Sequence, residues 1–154
     1  MSTDRQIVCG QCGKINRLPA ERAPDAARCG SCHQPIFTGH PIEVDEAGFG
    51  RHVAHNDIPV LVDVWAPWCG PCRAMAPMFE RAAEALEPAV RLLKLNSDQA
   101  PTVSSQLGIS GIPTLLLMQG GREISRISGA MDAQKIVAWD EGRARPVLIT
   151  FKPT

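Results

Sequence analysis

The chain of 154 residues lacks an excess of charge of either sign, because sixteen Lys and Arg residues balance sixteen Asp and Glu residues. A neutral chain creates no overall field that would attract it to nucleic acid or to an anionic membrane. The sequence also lacks an apolar run near the roughly 18 residues of a transmembrane helix, and its first residues lack the apolar stretch of a signal peptide. We therefore expect a cytoplasmic protein with neither nucleic-acid nor membrane partners.

Composition and length favour one folded domain with a small additional module. Hydrophobic residues make up 44% of the chain and charged residues 21%, which is typical of globular proteins. Residues 1–36 have no long apolar runs and are rich in Gly, Pro, Ala and Arg, so this segment cannot build a core by hydrophobic burial alone. We predict a module at residues 1–38, a domain at residues 42–142 and a tail at residues 143–154.

Hydrophobic periodicity in the larger domain predicts an α/β fold, with helices on both faces of a mixed central sheet. The predicted elements are a strand at 42–44, a helix capped by Asp45, a strand at 60–66 buried on both faces, a helix from Pro71 to about residue 86 with a kink at Pro77, a strand at 90–96, a helix at 101–108, a hairpin at 114–128 that turns at 119–121, and a helix with Asp132 at its N-cap and Gly142 just past its end.

Six cysteines form three pairs of identical spacing: CGQC, CGSC and CGPC. The cytosol keeps thiols reduced, so these cysteines are better explained as metal ligands or catalytic groups than as a disulfide framework. Sixteen residues separate the first two pairs, and this spacing is typical of zinc sites. Four thiolates leave no open position for water, so we predict one structural zinc per chain; the ligands would be Cys9, Cys12, Cys29 and Cys32. His33 is left out because adjacent ligands strain the geometry.

The CGPC pair lies where the predicted strand turns directly into a helix. This position places Cys69 at the helix N-terminus, where free amides and the helix dipole stabilise a thiolate. We predict that Cys69 is an exposed nucleophile of low pKa and that Cys72 resolves the mixed disulfide that Cys69 forms. Pro71 stiffens the loop and removes an amide, which favours the reduced dithiol.

Asp63 is the only charged residue in its apolar strand. If it is buried, its pKa is raised and it becomes a candidate general base for Cys72, with Lys94 of the next strand as its charge partner. The alternatives are that Asp63 ends its strand at solvent and that Lys94 is a snorkelling surface lysine. We predict that Trp65 is a core residue and that Trp68 shields the dithiol and offers apolar surface to partners.

The stretch WAPWCGPC, with VDVWA overlapping its start and GIPT after it, resembles the thioredoxin family over residues 42–142. The resemblance implies the thioredoxin fold, protein-disulfide reduction, and electrons from NADPH through thioredoxin reductase. It also implies that Pro113 is a cis-proline against the cysteine pair and that the backbone of Ile112 pairs with the substrate chain. Gly129 aligns with a family glycine that keeps the substrate groove open, although a simple turn is an alternative. The expected substrate surface comprises Trp68, Gly70, Pro71, Ile112 and Gly129.

The segments IVCGQCGKINRLP and AARCGSCHQPIF resemble the N-terminus of the zinc-containing thioredoxin-2 family of bacteria, whereas the last twelve residues depart from that pattern.

One alternative function is a zinc-ribbon binding module on an inert thioredoxin-like platform. Residues 1–40 carry five basic and three acidic side chains and one aromatic, Phe37, which is a poor nucleic-acid surface. The other is a disulfide oxidase or isomerase, which the Gly-Pro dipeptide opposes. We expect a monomer whose partners are thioredoxin reductase and disulfide-containing proteins.

Overall fold

The computed structural model describes residues 4–19 and 21–144. Its seven strands and four α-helices form two sheets and two helical layers. The elements are β1 (Arg5–Val8), β2 (Ile15–Leu18), β3 (Ile42–Val44), α1 (Glu46–His55), β4 (Val60–Trp65), α2 (Gly70–Leu86), β5 (Arg91–Asn96), α3 (Pro101–Gln106), β6 (Thr114–Gln119), β7 (Arg122–Ser128) and α4 (Ala133–Ala144), with short 3-10 turns at Pro24–Ala26 and Ser97–Gln99.

The larger sheet has the strand order β3-β5-β4-β6-β7. Strands β3, β5 and β4 are parallel, whereas β6 is antiparallel to β4 and β7 is antiparallel to β6. One face packs on α2 and α4 through a cluster that includes Leu61, Phe79 and Ile136. The other face packs on α1 and α3 through a cluster that includes Phe49 and Val62. The predicted mixed sheet with helices on both faces is confirmed.

The predicted helices and the hairpin are present, although α3 ends at Gln106 and the last helix ends later than predicted. Pro77 lies inside α2, and the kink there stays a prediction. The carboxylate of Asp132 accepts the Lys135 amide at 2.8 Å, as an N-cap does. The expectation that Gly142 lies past the helix end is wrong, because α4 continues to Ala144. A glycine inside a helix costs only about 1 kcal/mol, so its neighbours can carry the helix through it. The tail predicted at residues 143–154 therefore begins inside α4, and residues 145–154 lie outside the described part.

The N-terminal module is built on the β1–β2 hairpin, which the sequence analysis did not predict. The two strands are antiparallel and are joined by a turn that carries Cys9 and Cys12. A second turn, which carries Cys29 and Cys32, is closed by the bridge between Arg28 and Pro35. Around them lies a small apolar cluster of Ile7, Leu18, Ile36 and Phe37, which also takes in Ile58 from the larger domain. The module therefore completes its core with a side chain that belongs to its neighbour.

The surface between the module and the larger domain, which we call the module–domain interface, contains a fully buried arginine. The guanidinium of Arg91 donates to the carbonyl oxygens of Val8 at 2.7 Å and Ile36 at 3.0 Å. It lies 4.1 Å from the ring centre of Phe37 and pairs with the buried carboxylate of Glu87 at 3.6 Å. An unpaired buried charge is very costly, so Arg91 needs the two carbonyl oxygens that the module supplies as hydrogen-bond acceptors.

Helix α1 supplies the second half of the module–domain interface. Asn56 accepts the Val8 amide at 2.8 Å, and the carboxylate of Asp57 accepts the Gln6 amide at 2.7 Å. The guanidinium of Arg51 donates to the carbonyl of Gly13. The module is thus fixed against one edge of the larger domain by hydrogen bonds.

None of the helices in the described part of the chain has the length and apolar character that crossing a bilayer requires.

Candidate functional site

Cys69 and Cys72 lie at the start of α2, where the buried strand β4 delivers the chain. Cys69 is the N-cap of the helix, and its sulfur accepts the backbone amide of Cys72 at 3.1 Å. The two residues are joined as a disulfide, so the structure is that of the oxidised form. A helix N-terminus presents free amides and the positive end of the dipole, and both favour a thiolate once the disulfide is opened.

The expectation that Cys69 is exposed is wrong for the oxidised form, in which Cys69 is 5% exposed and Cys72 is 2% exposed. The reason is local packing: the sulfur pair forms an apolar cluster with Ala66, against which Trp65 and Ile112 pack. Only a small part of the sulfur pair is open to solvent, so a reaction partner has to reach it through this opening. The residues around the opening are therefore part of the site.

Pro113 follows a cis peptide bond, as the resemblance implies. The preceding carbonyl, that of Ile112, lies 3.9 Å from the sulfur of Cys69. The amide of Gly129 donates to the carbonyl of Pro113 at 2.9 Å, and Gly129 has a φ of +108°. No other heavy atom lies within 4 Å of where a Cβ at Gly129 would stand. This geometry fits both an open groove and a simple turn, so the role of Gly129 stays a prediction.

Trp68 is 68% exposed and forms the other side of the opening. Its indole N–H donates to both carboxylate oxygens of Asp98, at 3.0 and 3.2 Å, which fixes the ring. The sequence analysis missed Asp98, which no local pattern links to Trp68. A shallow groove leads away from this ring, lined by Trp68, Ser97, Ser104, Ile109, Ser110, Gly111 and Ile112. Gly70 and Pro71 are the first two residues of α2, and both are exposed.

Trp65 is only partly buried, which corrects the expectation of a core residue. The ammonium of Lys94 lies 4.6 Å from its ring centre, a cation–π contact at the border of the cysteine cluster. The indole N–H of Trp65 has no hydrogen-bond partner among the described residues. Trp65 therefore contacts both the cysteine cluster and the ammonium of Lys94.

Asp63 is completely buried, so the alternative that its strand ends at solvent is wrong. Neither carboxylate oxygen has a hydrogen-bond partner in the described chain. Burial raises the pKa of Asp63 to about 7, which Lys94 opposes and Glu43 reinforces. Lys94 is the register partner of Asp63 on β5, and it is half-buried. An unpartnered carboxyl group that titrates near neutrality, on the face of the sheet covered by α2, can exchange a proton.

The four cysteine sulfurs of the module lie within 4.8 Å of one another. Cys9 and Cys32 are 3.7 Å apart, and Cys12 and Cys29 are 3.6 Å apart. Tetrahedral coordination with Zn–S bonds of about 2.3 Å places sulfurs about 3.8 Å apart, whereas a disulfide requires about 2.05 Å. The donor set therefore fits a tetrahedral zinc ion closely, and the predicted ligand set is the one that the structure brings together.

Backbone amides support these sulfurs in the same way in both turns. The amide of Gln11 donates to the sulfur of Cys9 and that of Ser31 to the sulfur of Cys29, each at 3.3 Å. Asn16 adds a side-chain donor to Cys29 at 3.5 Å, which the sequence analysis missed. Burial of Cys29 opposes ionisation, but hydrogen bonds from Cys32, Asn16 and Ser31 lower the pKa of this thiol to about 6. Such donors stabilise thiolate ligands.

Comparison with known proteins identifies two regions of this chain. Residues 40–141 match the family model for thioredoxin, and residues 8–34 match the model described as the N-terminal part of thioredoxin 2. Thioredoxin C-3 of Corynebacterium nephridii is 41% identical over 86% of this chain and 91% of the relative. The thioredoxin of Porphyra purpurea is 43% identical over 58% of this chain and 83% of the relative. A mutant thioredoxin from Halobacterium salinarum has a TM-score of 0.63 at 28% identity, covering 70% of this chain and 94% of that one.

Proposed function

The chain belongs to the thioredoxin family, whose members reduce protein disulfides, and we propose that it does so through Cys69 and Cys72 and is re-reduced by thioredoxin reductase. The observation that carries the proposal is the placement of the Cys69 sulfur at the N-cap of α2, 3.1 Å from the Cys72 amide. We place the activity in the cytoplasm, in a monomer whose reducing equivalents come from NADPH.

In the first step, the Cys69 thiolate attacks one sulfur of the substrate disulfide. A Cys69–substrate disulfide forms, and the substrate's other sulfur leaves as a thiolate that takes up a proton. The amide of Cys72 and the helix terminus hold the attacking charge before this step. The carbonyl of Ile112 and the ring of Trp68 border the sulfur, so they are the groups that contact the substrate chain.

In the second step, Cys72 loses its proton and its thiolate attacks the Cys69 sulfur. The Cys69–substrate bond breaks, the second substrate sulfur leaves as a thiolate, and the Cys69–Cys72 disulfide forms. We assign the proton of Cys72 to Asp63, because a buried carboxylate whose pKa is raised to about 7 is a stronger base than an ordinary carboxylate and is still partly ionised at neutral pH. Lys94 limits how far burial raises that pKa. Two electrons from thioredoxin reductase then restore the dithiol.

The four-cysteine site has a structural role in this proposal. Its residues would hold one zinc ion, which stabilises the module when it is bound. Cys9, Cys12, Cys29 and Cys32 offer no open coordination position, so the dithiol chemistry takes place entirely in the larger domain.

Reduction of a model protein disulfide, with NADPH oxidation followed through thioredoxin reductase, tests the proposal. We expect turnover by the natural chain and none by Cys69→Ser. Cys72→Ser should instead accumulate a stable adduct between Cys69 and the substrate, detectable by mass spectrometry, because attack proceeds and resolution cannot. Turnover by Cys69→Ser would overturn the assignment of the nucleophile. A natural chain without activity would leave the zinc-ribbon binding module as the better explanation.

A further inference from the structure

A row of three charged residues crosses the sheet beneath the active site. In the parallel register, Glu43 of β3 stands opposite Lys94 of β5, and Lys94 stands opposite Asp63 of β4. Side chains that are register partners in parallel strands lie on the same face of the sheet. Here that face also carries Leu61 and Leu115, the residues that pack against α2. One ammonium group therefore lies between two carboxyl groups on the side of the sheet where the dithiol is.

The two ends of this row differ in their environment. Asp63 is completely buried and has no hydrogen-bond partner in the described chain, whereas Glu43 lies at the edge strand and is exposed. Lys94 is half-buried between them, with its ammonium over the ring of Trp65. Neither carboxyl group comes within 4.0 Å of the ammonium in an ion pair among the described residues. Lys94 is consequently shared by both carboxyl groups.

We propose that Glu43 is a positioning residue for the resolving step: it competes with Asp63 for the charge of Lys94 and thereby keeps the buried carboxyl group able to hold a proton near neutral pH. This inference rests on the proposed role of Asp63. Glu43 does not touch the sulfurs or the substrate. It acts through Lys94, and through weaker direct repulsion of the Asp63 carboxylate.

The direction of the effect follows from the charges that face Asp63. Lys94 and Glu43 are the charged groups that act on it, and Lys94 also acts on Glu43. From β6 the register partner of Asp63 is Leu115, which is uncharged, and from α2 come Cys72 and the apolar residues of the core. Neutralising Glu43 removes a repulsion, and it removes the attraction that draws the Lys94 ammonium toward β3, so that the ammonium can lie closer to Asp63; both changes favour the ionised carboxylate. The pKa of Asp63 therefore falls when Glu43 is made neutral.

The test measures the titration of the Asp63 carboxyl carbon by NMR in Glu43→Gln, beside the pH dependence of the attack of Cys72 on a preformed mixed disulfide. We expect both midpoints to move to lower pH by about 0.5 unit, because a partly solvated charge acts through a high effective dielectric. The maximum rate at high pH should change much less than the midpoint. A loss of packing at β3 would lower stability without moving both midpoints together.

Three further variants make the result decisive. Glu84→Gln removes the same charge from an exposed position on α2 and should leave the Asp63 midpoint in place. Glu43→Asp keeps the charge and should restore most of the natural midpoint. In a Lys94→Met background, Glu43→Gln should produce less than half of its original shift, because the shared ammonium is gone.

An Asp63 midpoint that is unchanged in Glu43→Gln would overturn the inference. A shift of equal size with and without Lys94 would show that Glu43 acts by direct repulsion and not by competition. Neither outcome touches the proposed reductase function, because the titration is measured on the carboxyl group and does not require turnover. Conversely, a chain in which Asp63→Asn leaves resolution unchanged would remove the base from the proposed function, whatever Glu43 does.

Discussion

The CGPC turn and the two turns of the four-cysteine cluster have the same cysteine spacing and the same glycine after the first cysteine, yet they build different sites. In the module, the residues after that glycine are Gln11 and Ser31, and their amides donate to the sulfur of the first cysteine. The matching residue in the CGPC turn is Pro71, which has no amide hydrogen. There the donor is the amide of Cys72, one residue further on.

The chain also leaves the turns in different directions. After the second cysteine, Gly13 and His33 adopt left-handed conformations with φ of 80° and 67°, which reverse the chain so that the next pair can face it. After Cys72 the chain continues as helix α2. The comparison teaches that spacing alone does not decide between a metal site and a redox site. The turns differ instead in the amide at the third position and in the conformation after the fourth.

The largest expected effect is on metal binding. Cys29→Ser should abolish stoichiometric zinc binding and unfold the module, because structural zinc contributes roughly 10 kcal/mol or more to the folding of such small units. Its matched control, Cys69→Ser, should retain one zinc per chain. Metal analysis beside thiol counting checks both variants, and zinc loss in Cys69→Ser would show that the two kinds of turn are not separate.

The next effect concerns the module–domain interface. Arg91→Ala should lower the free energy of unfolding by about 3–5 kcal/mol, because Glu87 is left buried without its charge partner. The exposed pair of Arg126 and Glu123, at 2.5 Å, provides the control. Arg126→Ala should cost about 1 kcal/mol or less. Thermal unfolding measures both, and equal losses would argue against a tight interface between the two regions.

The third effect concerns the buried carboxyl group of Asp63, which belongs to the larger domain and not to the metal site. Burial raises the pKa of Asp63 to about 7 in the folded chain, above its unfolded value, so its contribution to stability is present at acid pH and is lost as pH rises toward 7. Asp63→Asn should therefore increase stability by about 2–4 kcal/mol at pH 8 and by little at pH 4. The resolving step should become about 100-fold slower while attack by Cys69 is kept.

Denaturant unfolding at the two pH values and rapid-mixing kinetics measure these changes. Equal slowing of attack and resolution would indicate a general electrostatic role for Asp63 in place of proton transfer.

The smallest effect lies within the pair of module turns. His33 is exposed and occupies the left-handed position that Gly13 occupies in the other turn. His33→Gly should raise stability by about 0.5–1 kcal/mol, because a side chain in this conformation costs about that much. Gly13→Ala should lower stability by a similar amount, since only ordinary contacts at 3.7 Å surround the added carbon. Chemical denaturation of the zinc-loaded chain compares the two, and a stabilising Gly13→Ala would contradict the explanation.

Much of this molecule could be predicted from local patterns. The strand Val60–Trp65, the helix after it, the cis-proline at Pro113 and the four sulfurs of the module were all found from apolar runs, caps, spacing and resemblance. The Trp68–Asp98 hydrogen bond was not, because its two residues are 30 positions apart. The burial of Cys69 was not either, because it needs Ile112, 43 positions away, together with the nearby Ala66 and Trp65.

The module–domain interface was missed for the same physical reason. Arg91 looked like one basic residue at the start of an apolar strand, and its carbonyl acceptors lie 83 and 55 residues away. The sequence predicts two separate parts, but it contains no local signal for a buried charge that needs both of them. The boundaries at residues 38 and 42 therefore stay a prediction about folding units, and Arg91→Ala tests them.

The hydrogen bonds of the module–domain interface have a consequence for engineering. The larger domain contributes side chains, those of Arg51, Asn56, Asp57 and Arg91. The module contributes backbone groups, those of Gln6, Val8, Gly13 and Ile36. Backbone groups are present whatever the side chains are, so these hydrogen bonds constrain the module's sequence little. The contact of the Phe37 ring with Arg91, and Gly10, where a Cβ would lie 3.0 Å from Ile42, constrain it more. The sequence of the larger domain cannot vary so freely at its four contributing side chains. Transplanting this module onto another scaffold therefore requires grafting those four side chains, with Glu87 to balance Arg91, before any residue of the module is redesigned.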